Sequence, residues 1–266
     1  MELPNVRAII TGGAAGLGKS FAETLLEGGA KVVITDIDAV QLQATGEALR
    51  AKYGAKRVGF FQQDVTQNDS FDKAFAFAAE LFEAPANVLV NNAGISGDMN
   101  FFKEDAPLAW QKVIEIDLIA LMRGTQVGAA TMRRTLGGQE GVIVNMCSMA
   151  AFCDCPFWPQ YAAAKSGVLG FTKSMHQLKK SGNVRVVALC PGFADTAMGQ
   201  DAATNFPQLM GGQAGLMTAE TVSKGLVKAL GDGDNAGRQL VVAPEMAFYH
   251  VGNFTPNEFS FPDFAV

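Results

Sequence analysis

The chain has 266 residues, 48% of them hydrophobic, which is enough to bury the core of one large α/β domain or of two small ones. Its net charge is −5 at pH 7, and lysines and arginines are scattered among acidic residues rather than clustered. This pattern argues against binding to nucleic acid or to an anionic membrane. The sequence opens without a basic leader, and no apolar run approaches ~20 residues, so we expect a cytoplasmic protein that acts on a small-molecule substrate.

The cysteines and histidines predict neither disulfides nor a metal site. Four cysteines are too few for a disulfide scaffold, and Cys153-x-Cys155 lacks a second ligand pair for zinc. With Cys147 and Cys190, all four are expected to be reduced thiols. His176 and His250 lie far apart, with no cysteine or carboxylate at ligand spacing, so no metal is predicted.

The first part of the chain predicts a strand, a glycine turn and a helix. Val6–Ile10 is a short apolar run, and Gly12, Gly16 and Gly18 follow it before a helical pattern begins at Phe21. Glycines tolerate positive φ and let backbone N–H groups approach a pyrophosphate, and the amino end of a helix also attracts an anion. The turn therefore predicts a dinucleotide site, the alternative being a tight strand-to-helix turn without a ligand.

A second predicted strand, Lys31–Thr35, strengthens the dinucleotide interpretation. It leads to Asp36, about twenty residues after the glycines, where a carboxylate can accept hydrogen bonds from ribose hydroxyls. No Arg or Lys lies between Ile37 and Val40 to offset this carboxylate. Because the acid would repel a 2′-phosphate, we expect the cofactor to be NAD rather than NADP.

Strands and helices continue to alternate along the rest of the chain. The next predicted elements are a helix at Ala39–Lys52, a strand at Arg57–Phe61 ending near Asp64-Val65, an amphipathic helix at Phe71–Phe82, a strand at Asn87–Val90 leading into Asn91-Asn92-Ala93-Gly94, and a long apolar helix at Trp110–Met132, expected to be buried. Strands at Gly141–Cys147, Val184–Cys190 and Gln239–Val242 and helices at Gln160–Lys180 and Thr218–Leu230 follow. No linker or repeat interrupts this pattern. We predict one domain over 1–266, a single doubly wound, Rossmann-type parallel sheet with helices on both faces.

The strand at Gly141–Cys147 and the helix after it carry the candidate catalytic residues. Ser148 stands at the carboxyl end of the strand, where open parallel sheets place their ligands. In a helix, the four-residue step from Tyr161 to Lys165 puts the phenol and the ammonium on one face. The cation favours the phenolate, which brings a tyrosine with an ordinary pKa of ~10 into the range of a general base, and Ser148 would hold the substrate oxygen. The alternative is a helix that carries Tyr and Lys by chance.

Apolar side chains flank these residues and predict a largely apolar substrate. With Ser148, the predicted substrate residues are Phe152, Phe157, Trp158, Phe193 and Met198. The segment 194–218 is too long and irregular for a simple connection, which favours a mobile lid over the pocket or, alternatively, loop disorder. The aromatic tail at 245–266 has more apolar area than a free tail should expose, so we expect it to pack on a neighbouring subunit, close a pocket or pack on its own core.

Five motifs in this order resemble those of the classical short-chain dehydrogenase/reductase family. They are Thr11-Gly12-x-x-x-Gly16-x-Gly18, Asn91-Asn92-Ala93-Gly94, Ser148, Tyr161-x-x-x-Lys165 and Pro191-Gly192. The segments 145–148 and 190–196 are most similar to the NAD-dependent 15-hydroxyprostaglandin dehydrogenase branch. The resemblance implies that Tyr161 is the acid/base, that Ser148 positions the substrate oxygen, and that Lys165 lowers the tyrosine pKa and holds the nicotinamide ribose.

The resemblance also implies the residues that contact NAD. They are Gly12, Ala15, Gly16, Leu17, Gly18, Asp36, Ile37, Asp64, Val65, Asn91, Ala93, Gly94, Tyr161, Lys165, Pro191, Gly192, Phe193 and Thr196. Family members commonly pair through two long helices, here Trp110–Met132 and Gln160–Lys180, which implies a homodimer or homotetramer.

One position departs from the family pattern. Where the family has an asparagine that helps anchor a water for proton relay, this sequence has Asp117, which we include among the catalytic candidates. If Asp117 faces the site, its carboxylate would hold Lys165 protonated and raise the Tyr161 pKa; alternatively, it pairs with a neighbour such as Arg123.

Together, these motifs predict an NAD(H)-dependent alcohol dehydrogenase or carbonyl reductase that moves hydride between nicotinamide and a largely apolar secondary alcohol or ketone. The alternative is a catalytically weak dinucleotide-binding sensor or scaffold. It would bind NADH tightly and turn over no alcohol.

Overall fold

A computed structural model describes residues 1–98, 101, 108–205, 216–243 and 246–249. The strands are β1 (Arg7–Thr11), β2 (Lys31–Asp36), β3 (Val58–Gln62), β4 (Val88–Asn91), β5 (Gly141–Met146), β6 (Val184–Pro191), β7 (Gln239–Ala243) and β8 (Met246–Tyr249). The helices are α1 (Gly16–Glu27), α2 (Ala39–Tyr53), α3 (Ser70–Phe82), α4 (Ala109–Ile114), α5 (Leu121–Thr135), α6 (Pro159–Ser174), α7 (Leu178–Gly182), α8 (Ala197–Asn205) and α9 (Ala219–Gly231). A π-helical turn, Glu115–Ala120, joins α4 to α5.

The strands form one sheet in the order β3-β2-β1-β4-β5-β6-β7-β8. All neighbouring pairs are parallel except β7 and β8, which are antiparallel. On one side of β1 the sheet continues through β2 to β3, and on the other side it continues from β4 to β8. The carboxyl ends of β1 and β4 therefore flank a topological switch point, where doubly wound sheets bind ligands. The predicted fold class is confirmed, with one antiparallel edge strand added to the parallel sheet.

Both faces of the sheet are buried, which explains why its strands are continuous apolar runs in the sequence. Successive residues of a strand point to opposite faces. Val32 and Ile34 accordingly join the core under α1, α2 and α9, whereas Val33 joins the core under α3 and α5. A smaller apolar cluster lies against α6 and includes Cys147 and Val168.

The long helix predicted at Trp110–Met132 is one helical stretch with a π-helical turn inside it, and the expectation that it is buried is wrong. Only one face packs on the protein. Trp110, Ile119 and Met122 lie on the other face, with exposed fractions of 37%, 48% and 39%. Apolar composition predicts burial, but here the apolar residues extend around the helix to a face that the described residues do not cover.

The helix predicted at Gln160–Lys180 is two helices, and the lid segment contains another. The α-helical hydrogen bonds end at Ser174, because Met175 and Leu178 donate three residues back to Thr172 and Met175 and tighten the chain into turns. Met175 packs there on the core beneath α3. In the segment 194–218, residues 197–205 form α8, so this part is regular rather than a loop.

Parts of two predictions lie outside the described residues. The described part of the lid segment stops at Asn205 and resumes at Leu216, and that of the aromatic tail is the strand β8. The prediction that the tail packs on a neighbour, closes a pocket or packs on the core remains a prediction beyond Tyr249.

Candidate active site

The glycine turn lies at the carboxyl end of β1 and leads into α1. Gly12 and Gly16 have positive φ angles of 64° and 51°, which other residues rarely adopt. Gly18 is needed for space instead: a Cβ there would lie 2.1 Å from the Gly12 carbonyl oxygen. Gly12 and Gly16 line a large cavity, whereas Gly18 packs α1 against the turn. The observed role of Gly18 is helix packing, and its predicted contact with the cofactor remains a prediction.

Asp36 lies at the end of β2, beside the glycine turn. Its Oδ2 accepts a hydrogen bond from the Ala14 N–H at 3.1 Å, and its Oδ1 accepts one from the Asp38 N–H at 3.1 Å. These bonds hold the carboxylate at the rim of the cavity, which Ile37 also lines. The position is the one predicted for a carboxylate that accepts from ribose hydroxyls.

The two asparagines after β4 have different surroundings. Asn91 is buried, and its amide donates to Asn145 Oδ1 at 2.9 Å and to Thr125 Oγ1 at 3.2 Å. It joins β4 to β5 and α5 and does not line the cavity, so its assignment to the cofactor remains a prediction. Asn92 lines the cavity, and its Nδ2 donates to the carbonyls of Thr11 and Gly12 at 2.8 and 3.0 Å.

Ser148, Tyr161 and Lys165 meet at the same cavity, next to the carboxyl end of β5. The Ser148 hydroxyl accepts a hydrogen bond from the Ala150 N–H at 3.2 Å, and it lines the cavity together with the Tyr161 phenol. Lys165 Nζ lies 5.3 Å from the centre of the Tyr161 ring and donates to the Met146 carbonyl at 3.1 Å. The structure thus brings together the hydroxyl, the phenol and the ammonium that the sequence predicted.

Asp117 is fully buried and faces these residues from the π-helical turn. Its Oδ2 lies 2.9 Å from Lys165 Nζ, and its Oδ1 accepts from the Ile95 N–H at 2.8 Å. Arg123, the alternative partner, instead donates to the Thr66 carbonyl at 2.7 Å. The prediction that Asp117 lies beside Lys165 is confirmed.

Burial and charge together set the protonation of this cluster. Burial raises the pKa of Tyr161; the Lys165 ammonium opposes that rise, and the Asp117 carboxylate adds to it. Burial alone would lower the pKa of Lys165, yet Asp117 and Tyr161 raise it above its ordinary value. Burial likewise raises the pKa of Asp117 against the opposing effects of Lys165 and the Ile95 N–H. At 2.9 Å, each charge of the pair favours the ionised form of the other.

The cavity has a volume of about 760 Å³ and extends from the glycine turn past Ser148 to α8. Its lining includes the following predicted residues: Gly12, Ala15, Gly16, Leu17, Asp36, Ile37, Asp64, Val65, Ala93, Gly94, Asp117, Ser148, Phe157, Trp158, Tyr161, Lys165, Pro191, Gly192, Phe193, Thr196 and Met198. Phe152 is absent from this lining and packs instead on the apolar cluster against α6, so its assignment to the substrate remains a prediction. It follows a short 3-10 turn, Met149–Ala151.

Sequence reasoning missed several cavity residues. They include Gln63, Asn92, Ser96, Ile116, Met149, Cys153, Asp154, Cys155 and Ala202. Their common signal is position: each lies within a few residues of a predicted site residue. All four cysteines are free, and three of them, Cys147, Cys153 and Cys155, line the cavity near Ser148.

The fold and the site define a dinucleotide-binding oxidoreductase, and comparison with known proteins identifies its family. The chain belongs to the short chain dehydrogenase family, whose model matches residues 6–206. None of the described helices is both long and apolar enough to cross a membrane.

Among individual relatives, the chain is similar to 15-hydroxyprostaglandin dehydrogenase (NAD(+)). It is 36% identical to the enzymes of Macaca fascicularis and Homo sapiens over 197 residues, which cover 72% of this chain and 69% of each relative. The predicted likeness to this branch is confirmed. A 3-oxoacyl-acyl-carrier-protein reductase of Aquifex aeolicus (strain VF5) is 32% identical over 74% of this chain and 77% of its own. The crystal structure of levodione reductase matches with a TM-score of 0.78 and 25% identity, over 89% of this chain and 95% of that one.

Proposed function

We propose that this protein is an NAD(H)-dependent alcohol dehydrogenase or carbonyl reductase that acts on a largely apolar secondary alcohol or ketone. The observation that carries the proposal is the meeting of Ser148, Tyr161 and Lys165 in one cavity that also opens onto the glycine turn. Hydride transfer requires three things of the protein: a base, a group that holds the substrate oxygen and a site that binds the dinucleotide. The names of the NAD(+) relatives support the choice of cofactor.

The residues around the glycine turn fit NAD. Positive φ at Gly12 and Gly16 and the amino end of α1 leave backbone N–H groups and a partial positive charge for a pyrophosphate. Asp36 would accept from the ribose hydroxyls at the rim. Gln63 lines the same cavity, and its buried Oε1 has no hydrogen-bond partner among the described residues, so it could accept from a bound nucleotide. When bound, the nicotinamide would accept or supply the hydride.

The protein's own residues handle the proton and the substrate oxygen. Ser148 holds that oxygen by a hydrogen bond, and Tyr161 as the phenolate takes the hydroxyl proton of an alcohol. In the reverse direction Tyr161 as the phenol returns the proton to a ketone oxygen. Lys165 stabilises the phenolate, and its contacts with Asp117 and Met146 hold the ammonium in place. Phe157, Trp158 and Met198 give the substrate an apolar wall.

The test is turnover of a panel of secondary alcohols with NAD, followed by the absorbance of NADH. Tyr161→Phe should lower kcat by a factor of about 10²–10⁴ while NADH binding is retained, since the ring stays and the proton acceptor is lost. Tyr53→Phe is the matched control, because Tyr53 lies on α2 and bonds Glu27 far from the cavity. Full activity in Tyr161→Phe would refute the proposed role.

A second candidate, a catalytically weak dinucleotide-binding sensor or scaffold, is favoured by one observation. Asp117 neutralises the lysine whose charge should favour the phenolate. This function predicts tight NADH binding and no turnover by wild type with any alcohol in the panel, at any pH up to 10.

We also propose that the chain acts as one domain in a homodimer or homotetramer, with segment 194–218 acting as a lid. The exposed apolar side chains of Trp110, Ile119 and Met122 along one helical face support the assembly. The lid proposal is supported by α8, whose residues Met198 and Ala202 line the cavity.

A further inference from the structure

The charged groups that line the cavity are mostly acidic. Four carboxylates and one ammonium contribute to the lining, a net charge of −3 when all are ionised: Asp36, Asp64, Asp117, Asp154 and Lys165. In the described part of the chain, no arginine or histidine lies in this wall. The ammonium is buried against Asp117 at 2.9 Å and offers little positive field to a ligand.

Asp154 is the carboxylate placed to meet the substrate. Asp36 ends β2 and Asp64 follows β3, at the cofactor end of the cavity, whereas Asp154 lies in the exposed loop between Ser148 and Tyr161. Cys153, on one side of it, and Cys155, on the other, line the same wall. Among the described residues, no side chain forms an ion pair or hydrogen bond with Asp154, so its charge remains available to a ligand.

The residues outside the described part of the chain carry more acidic than basic groups. The groups there that can carry positive charge are Lys103 and His250, against the acids Glu104, Asp105, Glu245, Glu258 and Asp263. Like the cavity wall, these segments are therefore acidic on balance.

We infer that the substrate is an apolar alcohol or ketone that is neutral or cationic away from the reacting carbon, and that Asp154 disfavours substrates carrying a carboxylate or phosphate. This inference rests on the proposed function, and it makes Asp154 a specificity-determining residue. Near a protein surface, two unit charges ~6 Å apart at an effective dielectric constant of ~40 change an equilibrium constant about tenfold. Rejection of an anion by roughly that factor is expected.

The test uses three compounds that share a twelve-carbon saturated chain with the hydroxyl on the penultimate carbon. Their other ends are a methyl ester, a carboxylate and a primary amine, assayed with NAD at pH 8. In wild type, kcat/KM for the ester and the amine should exceed that for the carboxylate by about tenfold or more. Raising the salt concentration to about 1 M should reduce the difference in kcat/KM between the ester and the carboxylate, because the screening length for exposed charges is then ~3 Å.

Substitutions of Asp154 test whether this side chain causes the discrimination against the carboxylate compound. Asp154→Asn should reduce the gap between ester and carboxylate to about threefold or less, and Asp154→Lys should favour the carboxylate. Asp201→Asn is the matched control: it removes the same charge from α8, where Asp201 bonds Asn205 and does not line the cavity. A wild-type gap below twofold, or an equal effect of Asp201→Asn, would overturn the inference.

Binding measurements separate this inference from the proposed function. The chain has two tryptophans, and Trp158 lines the cavity. In a Trp110→Phe background, quenching of Trp158 fluorescence gives the affinity for each compound in the presence of NAD. Absence of turnover with these three compounds and with the panel of secondary alcohols would refute the proposed function, yet the order of the Kd values would still confirm or reject the selection by charge.

Discussion

Replacing Asp117 by asparagine tests the electrostatics of the site most directly. The substitution removes a carboxylate 2.9 Å from Lys165 Nζ and retains an oxygen that can accept from the lysine. The side chain keeps nearly the same shape, but its single oxygen can serve only one of the two donors, Lys165 Nζ or the Ile95 N–H, and its NH2 group faces the other. The change is therefore one of charge more than of packing.

The expected shift follows from the sign of that charge. Asp117 adds to the rise that burial causes in the Tyr161 pKa, so its removal should lower that pKa. A unit charge ~7 Å from the phenol at an effective dielectric constant of ~20 contributes about 2.4 kcal/mol. Since Tyr161 acts as the phenolate in oxidation, the rising limb of kcat/KM should move about 1–2 pH units toward neutrality.

A second change should appear at high pH. In wild type, Asp117 raises the Lys165 pKa against the effect of burial, which lowers it. Without the carboxylate, burial should bring the lysine pKa down, and activity should fall again as Lys165 loses its proton. The variant profile should therefore be bell-shaped, whereas wild type should rise toward alkaline pH.

The assay is the pH dependence of kcat/KM for one alcohol with NAD, measured for wild type, Asp117→Asn and Glu115→Gln. Glu115 lies on the same π-helical turn but is exposed, so its variant removes an equal charge outside the site. Its profile should match that of wild type. Superimposable profiles for wild type and Asp117→Asn would refute the reasoning and would place the residue outside the proton path.

Three further predictions concern the cofactor, the turn and the assembly. Wild type should prefer NAD to NADP by a few kcal/mol in kcat/KM, and Asp36→Ser should remove most of that preference; equal use by wild type would contradict the role of the acid. Gly18→Ala should cost about 1–3 kcal/mol of unfolding free energy and weaken NADH binding, because its Cβ would press on the glycine turn. Gly231→Ala, where a Cβ meets nothing within 4 Å, should be near neutral in the same denaturation experiment. Ile119→Glu should reduce the particle size in light scattering, and a monomeric wild type at micromolar concentration would reject the homo-oligomer.

Short-range patterns in the sequence determined the strands and helices and the position of the candidate active site. The order of strands and helices follows from runs of apolar residues, and the observed strands begin and end within a residue or so of the predicted ones. The Tyr161–Lys165 spacing works because a helix repeats every 3.6 residues, and Ser148 follows β5 directly. Each of these signals is short in range, so a single sequence carries them.

Tertiary contacts decided which side of each element faces the cavity. Asn91 and Asn92 are chemically equal and adjacent, and only the bonds of Asn91 to Thr125 and Asn145 turn it inward and leave Asn92 at the glycine turn. The orientation of Asp117 depends on the π-helical turn, which no local sequence pattern predicted. These choices depend on partners 22 to 81 residues away in the chain. A local pattern cannot specify such partners, since their contacts form only when the sheet and its helices pack together.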